Sequence, residues 1–259
     1  MRDESIGRRG WIKLVGGAAG AGAALVVARQ AGAAPPAAGK GMQAIPWPYA
    51  PLDPDATAER AFKGYLEGHC MYGAFDALAG QVADKLGAPY ASFPTKLFTY
   101  GAGGVAGWAT LCGALNGAAA AFQLLSPKPE PLVDALFRQY EQASLPDWVP
   151  ASAKFPNVKS VAGSVLCHAS VSAWCKASGK KAYSPERKER CGVLTASVAR
   201  HAAIILNAQH AGKAFPVLED KATAECASCH EKGGVLENTR AKMACGGCHF
   251  NLGTKHPAI

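Results

Sequence analysis

Two short runs near the end of the chain carry residues that can do chemistry. They are CASCH, with Cys226, Cys229 and His230, and CGGCH, with Cys245, Cys248 and His249, nineteen residues apart. Three chemistries use Cys-x-x-Cys pairs. Two pairs at this separation suit a zinc ribbon, but a four-thiolate zinc site gives the His after each pair no role. A thioredoxin-like dithiol sits near a βαβ unit, and no such pattern accompanies these runs. Covalent haem c attachment uses every residue in this order: the two thiols form thioethers with the haem vinyl groups, and the adjacent His ligates the iron. The expectation is two covalent c-type haems per chain, held by Cys226, Cys229, Cys245 and Cys248, with His230 and His249 as proximal ligands.

The sixth iron ligand decides what such haems do. A His there makes a low-spin electron carrier, whereas an open position admits ligands or substrates. Five other His are available: His69, His168, His201, His210 and His256. His256 follows His249 closely and ranks first, then His168, then His210 and His201. The plain alternative for each is a surface or hydrogen-bonded imidazole.

Five cysteines remain outside the haem runs: Cys70, Cys112, Cys167, Cys175 and Cys191. Two accounts stand side by side. One is disulfides with a leftover thiol, the default for an exported chain. The other is a four-thiolate iron–sulfur cluster, although the spacings match no ferredoxin run. Another metal is a third possibility.

The elements that must position these groups read as helices. About half of the chain is hydrophobic, and Ala and Gly are abundant, which suits closely packed helices better than sheets. The expected fold is all-α: a helical domain with small-residue-rich packed helices, then a short irregular dihaem segment. Helices are expected over 57–86 with Asp55 or Thr57 as cap, 101–125, 132–143, 160–178 and 184–208. Gly103/Gly107 and Gly113/Gly117 place small residues four apart for close packing. Ser184-Pro185-Glu186 is a strong start signal: cap, proline, then an acid in the first turn. No strand series is expected. GAGGVAG (101–107) loosely resembles a dinucleotide loop, but no strand precedes it and no βαβ unit follows.

At the N-terminus, Arg8, Arg9, Trp11, Ile12 and Lys13 lead a weakly apolar, Gly-rich stretch too short for a stable membrane span. Residues 1–33 are expected to be a twin-arginine signal peptide directing export to the periplasm. Residues 34–55 form a Pro-rich linker, 56–215 the helical domain with the five non-haem cysteines, and 216–259 the dihaem segment. The twin-arginine route carries folded passengers, which fits a cluster inserted before export. The net charge is +8, concentrated in residues 154–200, which hold nine basic and two acidic residues. An exported protein rarely meets nucleic acid. This segment, with Lys180, Lys181, Arg187, Lys188 and Arg190, is therefore expected to be a solvated face, or a dock for an acidic partner.

From about residue 55 onward the chain resembles the split-Soret cytochromes c. The resemblance rests on CMYGAF (70–75), GAGGVAGWATLCGALNGAAAA (101–121), LCHASVSAWCKASGKK (166–181), SPERKERC (184–191) and the paired terminal haem runs. The part before the haems also resembles a broader group marked by spaced cysteines and a Cys-Gly-Ala segment. The resemblance implies a homodimer gathering four haems at one end, all with paired His ligation, one of which crosses the dimer interface. It also implies an iron–sulfur centre in the helical domain. The expected function is electron transfer. A small oxidoreductase with an open haem, or a redox sensor, are the alternatives, and the redox partners are not legible.

Overall fold

The computed structural model describes residues 44–240 and 242–249. The expected signal peptide, most of the expected linker, and His256 lie outside them. Within the described residues the fold is all-α. Its helices are α1 Pro54–Leu86, α2 Gly113–Leu125, α3 Pro129–Gln142, α4 Cys167–Ser178, α5 Pro185–His210 and α6 Lys221–His230. A two-residue antiparallel pair, Ser144–Leu145 with Ser160–Val161, is the sheet structure among them.

α1 starts three residues earlier than expected. Asp53 is the cap, accepting from the Asp55 and Ala56 amides at 2.9 and 3.0 Å, and Pro54 fills the first helical position. This corrects the assignment of Asp55 or Thr57. α1 is also not one rod. Gly68 and His69 leave helical geometry, His69 at φ 67°. The chain reverses there, and the two arms pack antiparallel. Gln81 accepts from the Asp53 amide at 2.7 Å and donates to Thr57 Oγ1 at 2.9 Å. Arg60 reaches across to Asp76 at 3.0 Å and Asp84 at 2.5 Å. The arms cross at Gly64 and Gly73, where a Cβ on Gly64 would lie 2.9 Å from Gly73 Cα. Cys70 is thus the first residue after the elbow.

The helix expected over 101–125 begins only at Gly113. Residues 95–101 form a 3-10 turn, and 102–110 a run of tight turns. Positive φ at Gly103, Gly104, Ala106, Gly107 and Ala109 is incompatible with a helix. The Gly103/Gly107 pairing is therefore a loop feature, not a packing stripe. Gly113 and Gly117 do pack as expected. A Cβ on Gly113 would sit 2.9 Å from Cys70 Cβ, and one on Gly117 would overlap the Met71 carbonyl oxygen. The helix expected over 160–178 starts at Cys167, because residues 160–161 pair with 144–145 instead. Ser184 caps α5 as expected, accepting from the Arg187 amide at 3.2 Å.

The core lies between the second arm of α1, α2, α3 and α5. Phe75, Leu78, Val82, Leu115, Phe122, Leu136 and Val198 are all at most 2% exposed within it. α5 is long and apolar enough to span a membrane by composition, but its apolar side chains face this core.

Candidate metal centres

The five upstream cysteines are brought close by local geometry. Cys70 follows the α1 elbow. Cys112 caps α2, whose Gly113 lies against Cys70. Cys167 opens α4. Its amide donates to the Thr110 carbonyl at 2.7 Å and the Cys112 amide donates to the Val165 carbonyl at 2.9 Å, so segments 109–112 and 165–168 run side by side. Cys191 lies nearly two turns into α5. There Gly192 permits close approach to the first arm of α1, since a Cβ would fall 2.7 Å from Tyr65 Cδ1.

The electrostatics of the sulfurs agree with this placement. Burial pushes the Cys70 thiol well up, and the nearby sulfurs of Cys191, Cys112 and Cys167 push it further. The Cys70 residue as a whole is only half-buried, but its sulfur is enclosed. Burial raises Cys112, and it raises Cys167 to about 12, with Cys112 and Cys191 adding to the latter. Cys70, Cys112, Cys167 and Cys191 therefore share one neighbourhood. Cys175 lies about 12 Å further along α4 from Cys167, by helical rise, and is half-buried. All nine cysteines are free thiols, so no disulfide joins any of the five.

Does this group suit iron? Thiolates are the ligands of iron–sulfur clusters. Among the described residues, no group of three or more His, Cys, Asp or Glu side chains closes on a single ion. The sulfurs neighbour one another without meeting at one point. A polynuclear centre, with iron and sulfide between its outer thiolates, tolerates that spread better than one ion does. The charge balance also fits. Arg187 Nη1 lies 3.9 Å from Cys191 Sγ, and Arg190 is buried at 6% exposure. This corrects the expectation of a wholly solvated basic face. Lys180, Lys181 and Lys188 are exposed, but Arg187 and Arg190 turn inward toward the thiols. The sequence held a signal for this, since both arginines share the inward stripe of α5 with Cys191 and Leu194.

The two Cys-x-x-Cys-His runs form a second candidate centre. Cys226, Cys229 and His230 lie on α6, and Cys245, Cys248 and His249 on the tight turn that follows. Both line one cavity of about 370 Å³, with Asn238 and Met243. Burial raises the Cys245 thiol, and the neighbouring Cys226 sulfur raises it further, so the leading cysteines of the two runs adjoin. His230 Nδ1 bonds to Asn238 Oδ1 at 2.8 Å, so Nε2 is the nitrogen this imidazole would present to a metal. The spacing, the shared cavity and this imidazole orientation fit covalent haem.

The segment is held to the core chiefly through α3. Glu141, 3% exposed, accepts from the Ala244 amide at 2.9 Å and from Arg138 at 3.1 Å. Arg138 also reaches Asp220 at 3.3 Å, and Lys242 pairs with Asp134 at 2.8 Å. A larger cavity of about 1320 Å³, lined by Val133, Phe137, Val217, Leu218 and Met243 among others, opens between α3 and this segment.

The remaining His sit apart. His210 stacks on Tyr49 at 3.9 Å and bonds the Leu125 carbonyl at 3.0 Å. His201 bonds Asp147 at 2.6 Å and Gln139 at 2.9 Å. His168 is exposed at the start of α4, and His69 is exposed at the α1 elbow.

Residues 72–205 match the family described as "Putative redox-active protein (C_GCAxxG_C_C)". Over 95% of its length the chain is 41% identical to the split-Soret cytochrome c of Desulfovibrio desulfuricans, of which it covers 95%. It also resembles a solved structure of a split-Soret cytochrome c from that species, described as having a novel iron centre. The TM-score is 0.74 with 39% identity, over 78% of this chain and 90% of that one.

Proposed function

The chain belongs to the split-Soret cytochrome c family, and from that premise we propose a dihaem c-type cytochrome with an additional iron centre in its helical domain. That it is an electron-transfer redox protein, with haem and iron, follows from the family. The finer reading is two covalent haems per chain, at Cys226/Cys229 and Cys245/Cys248, with His230 and His249 proximal. The observation that carries it is the single cavity lined by both runs, with Cys226 beside Cys245.

Haem supplies reversible one-electron exchange at iron. The residues of this chain supply the rest. The thiols fix each group covalently, so no binding equilibrium limits transfer. Asn238 orients the His230 imidazole through Nδ1. Glu141 and Arg138 anchor the second run to α3. The shared cavity sets the two attachment points close together, which favours rapid exchange between them.

Cys70, Cys112, Cys167 and Cys191 hold the additional centre in this reading, as an iron–sulfur cluster. The solved relative's iron centre and the shared neighbourhood of these four sulfurs support it. For the sixth haem ligands, the engaged rings of His201 and His210 favour His256 and His168. A homodimer uniting four haems, and export to the periplasm by the twin-arginine route, complete the proposal.

The test is total iron beside covalent haem, on full-length protein purified without oxygen. Two covalent haems and iron above two per chain support both centres. Two irons matching two haems remove the additional centre. Fewer than two haems overturn the dihaem reading.

A further inference from the structure

Arg190 stands next to Cys191 on α5. Its Nη2 donates to Ser170 Oγ at 3.1 Å. Its Nε and Nη1 are buried, and no hydrogen-bond partner completes either. Tyr140 of α3, 1% exposed, borders the Cys112 thiol and lies near Arg190 and Ser170. Trp174 follows Ser170 by one turn of α4, is 2% exposed, and its indole N–H is a further buried donor with no acceptor.

A buried guanidinium with two open donors is among the costliest groups to enclose. Among the described residues no carboxylate pairs with Arg190 or with Arg187. Around Arg190 the described residues therefore leave buried donors without a completing acceptor. A compact anion is the chemistry that completes them. Arg is suited to that task, since its planar fork presents several donors at fixed angles. The ligand must be small, because Ser170, Trp174, Tyr140 and Arg190 are each at most 6% exposed.

We propose that Arg190, positioned by Ser170 and flanked by Tyr140, forms a buried site for a small inorganic anion on the wall of the Cys70–Cys112–Cys167–Cys191 centre. The inference rests on reading those thiols as a metal centre. Two sources present the same chemistry: sulfide resident in the centre, or an anion taken from solution.

The experiment uses full-length protein purified without oxygen, with Arg190→Gln, Arg190→Lys and Tyr140→Phe beside the wild type. Tyr140→Phe removes only a hydroxyl and keeps the ring, so it is the milder variant should Arg190→Gln fail to fold. The readouts are non-haem iron, acid-labile sulfide, and hyperfine couplings of exchangeable protons to the non-haem paramagnetic signal. Each is taken with and without 15N-azide. Exchangeable couplings present in the wild type, weakened in Tyr140→Phe and Arg190→Gln and partly restored in Arg190→Lys, support the site. Labile sulfide without any 15N coupling then assigns resident sulfide, and a saturable 15N coupling assigns a solution anion. Identical couplings in all four proteins overturn it.

If the wild type holds no non-haem iron, the metal-centre reading fails by itself. Azide dependence of Tm in the same samples then decides the anion site. A saturable rise that falls at least tenfold in apparent affinity in Arg190→Gln or Tyr140→Phe supports it, and no rise in the wild type overturns it.

Discussion

Asn238 Oδ1 lies 2.8 Å from His230 Nδ1, and the Asn238 and Thr239 amides both donate to the His230 carbonyl, at 3.0 and 3.1 Å. The chain after α6 therefore folds back onto the residue that ends the first haem run. An acceptor on Nδ1–H makes the imidazole a stronger donor through Nε2, and a stronger donor favours ferric iron. Asn238→Leu removes the acceptor at similar volume. The reduction potential of one of the two haems is expected to rise, the other staying in place, in a spectroscopic redox titration.

Gly113 separates the two centres experimentally. An alanine there brings a methyl within 2.9 Å of Cys70 Cβ and onto the Gly101 carbonyl. Overpacking of this kind costs about 1–3 kcal/mol. Gly113→Ala is expected to lower the denaturation midpoint and reduce non-haem iron, while covalent haem per chain stays unchanged by haemochrome assay.

Glu141 tests how the haem segment is anchored. Glu141→Ala strips the acceptor from the Ala244 amide and one partner from Arg138. Leaving such groups unsatisfied costs about 1–3 kcal/mol. Limited proteolysis is expected to cut within 231–244 faster than in the wild type. Glu141→Gln, which keeps a carbonyl acceptor, is expected to show a smaller effect.

Asp147 predicts an acid limb of stability. Burial alone would raise its carboxyl, but bonds from His201 and Ser197 outweigh this and hold it below its ordinary value of 3.8. A lowered folded-state pKa stabilises the fold above about pH 4, and that contribution is lost as pH falls through the folded value. Asp147→Asn is expected to be less stable than wild type at pH 7, with the difference shrinking below pH 4 in denaturant titrations.

How much of this was legible beforehand varies with the physics of each element. The Ser184-Pro185-Glu186 start of α5 was readable because a cap acts locally. The two Cys-x-x-Cys-His runs could be singled out because their residues are contiguous. The α1 elbow was not. EGHCM contains no proline, so helical pattern runs through it, and the reversal is set by the crossing at Gly64 and Gly73. The 102–110 loop was misread because glycines four apart serve a helix face and a tight turn equally well. Cys70, Cys112, Cys167 and Cys191 could be named, but not gathered, since their proximity depends on pairing between 109–112 and 165–168. The inward turn of Arg187 and Arg190 was hidden by the lysines around them.

The elbow at Gly68 and His69 also sets a schedule. Cys70 is in place as soon as the two arms of α1 close, yet Cys191 arrives on α5, after most of the domain has been made. A chain halted before Cys191 leaves the early sulfurs without their last neighbour. A centre that needs all four sulfurs therefore cannot be completed until α5 has been made.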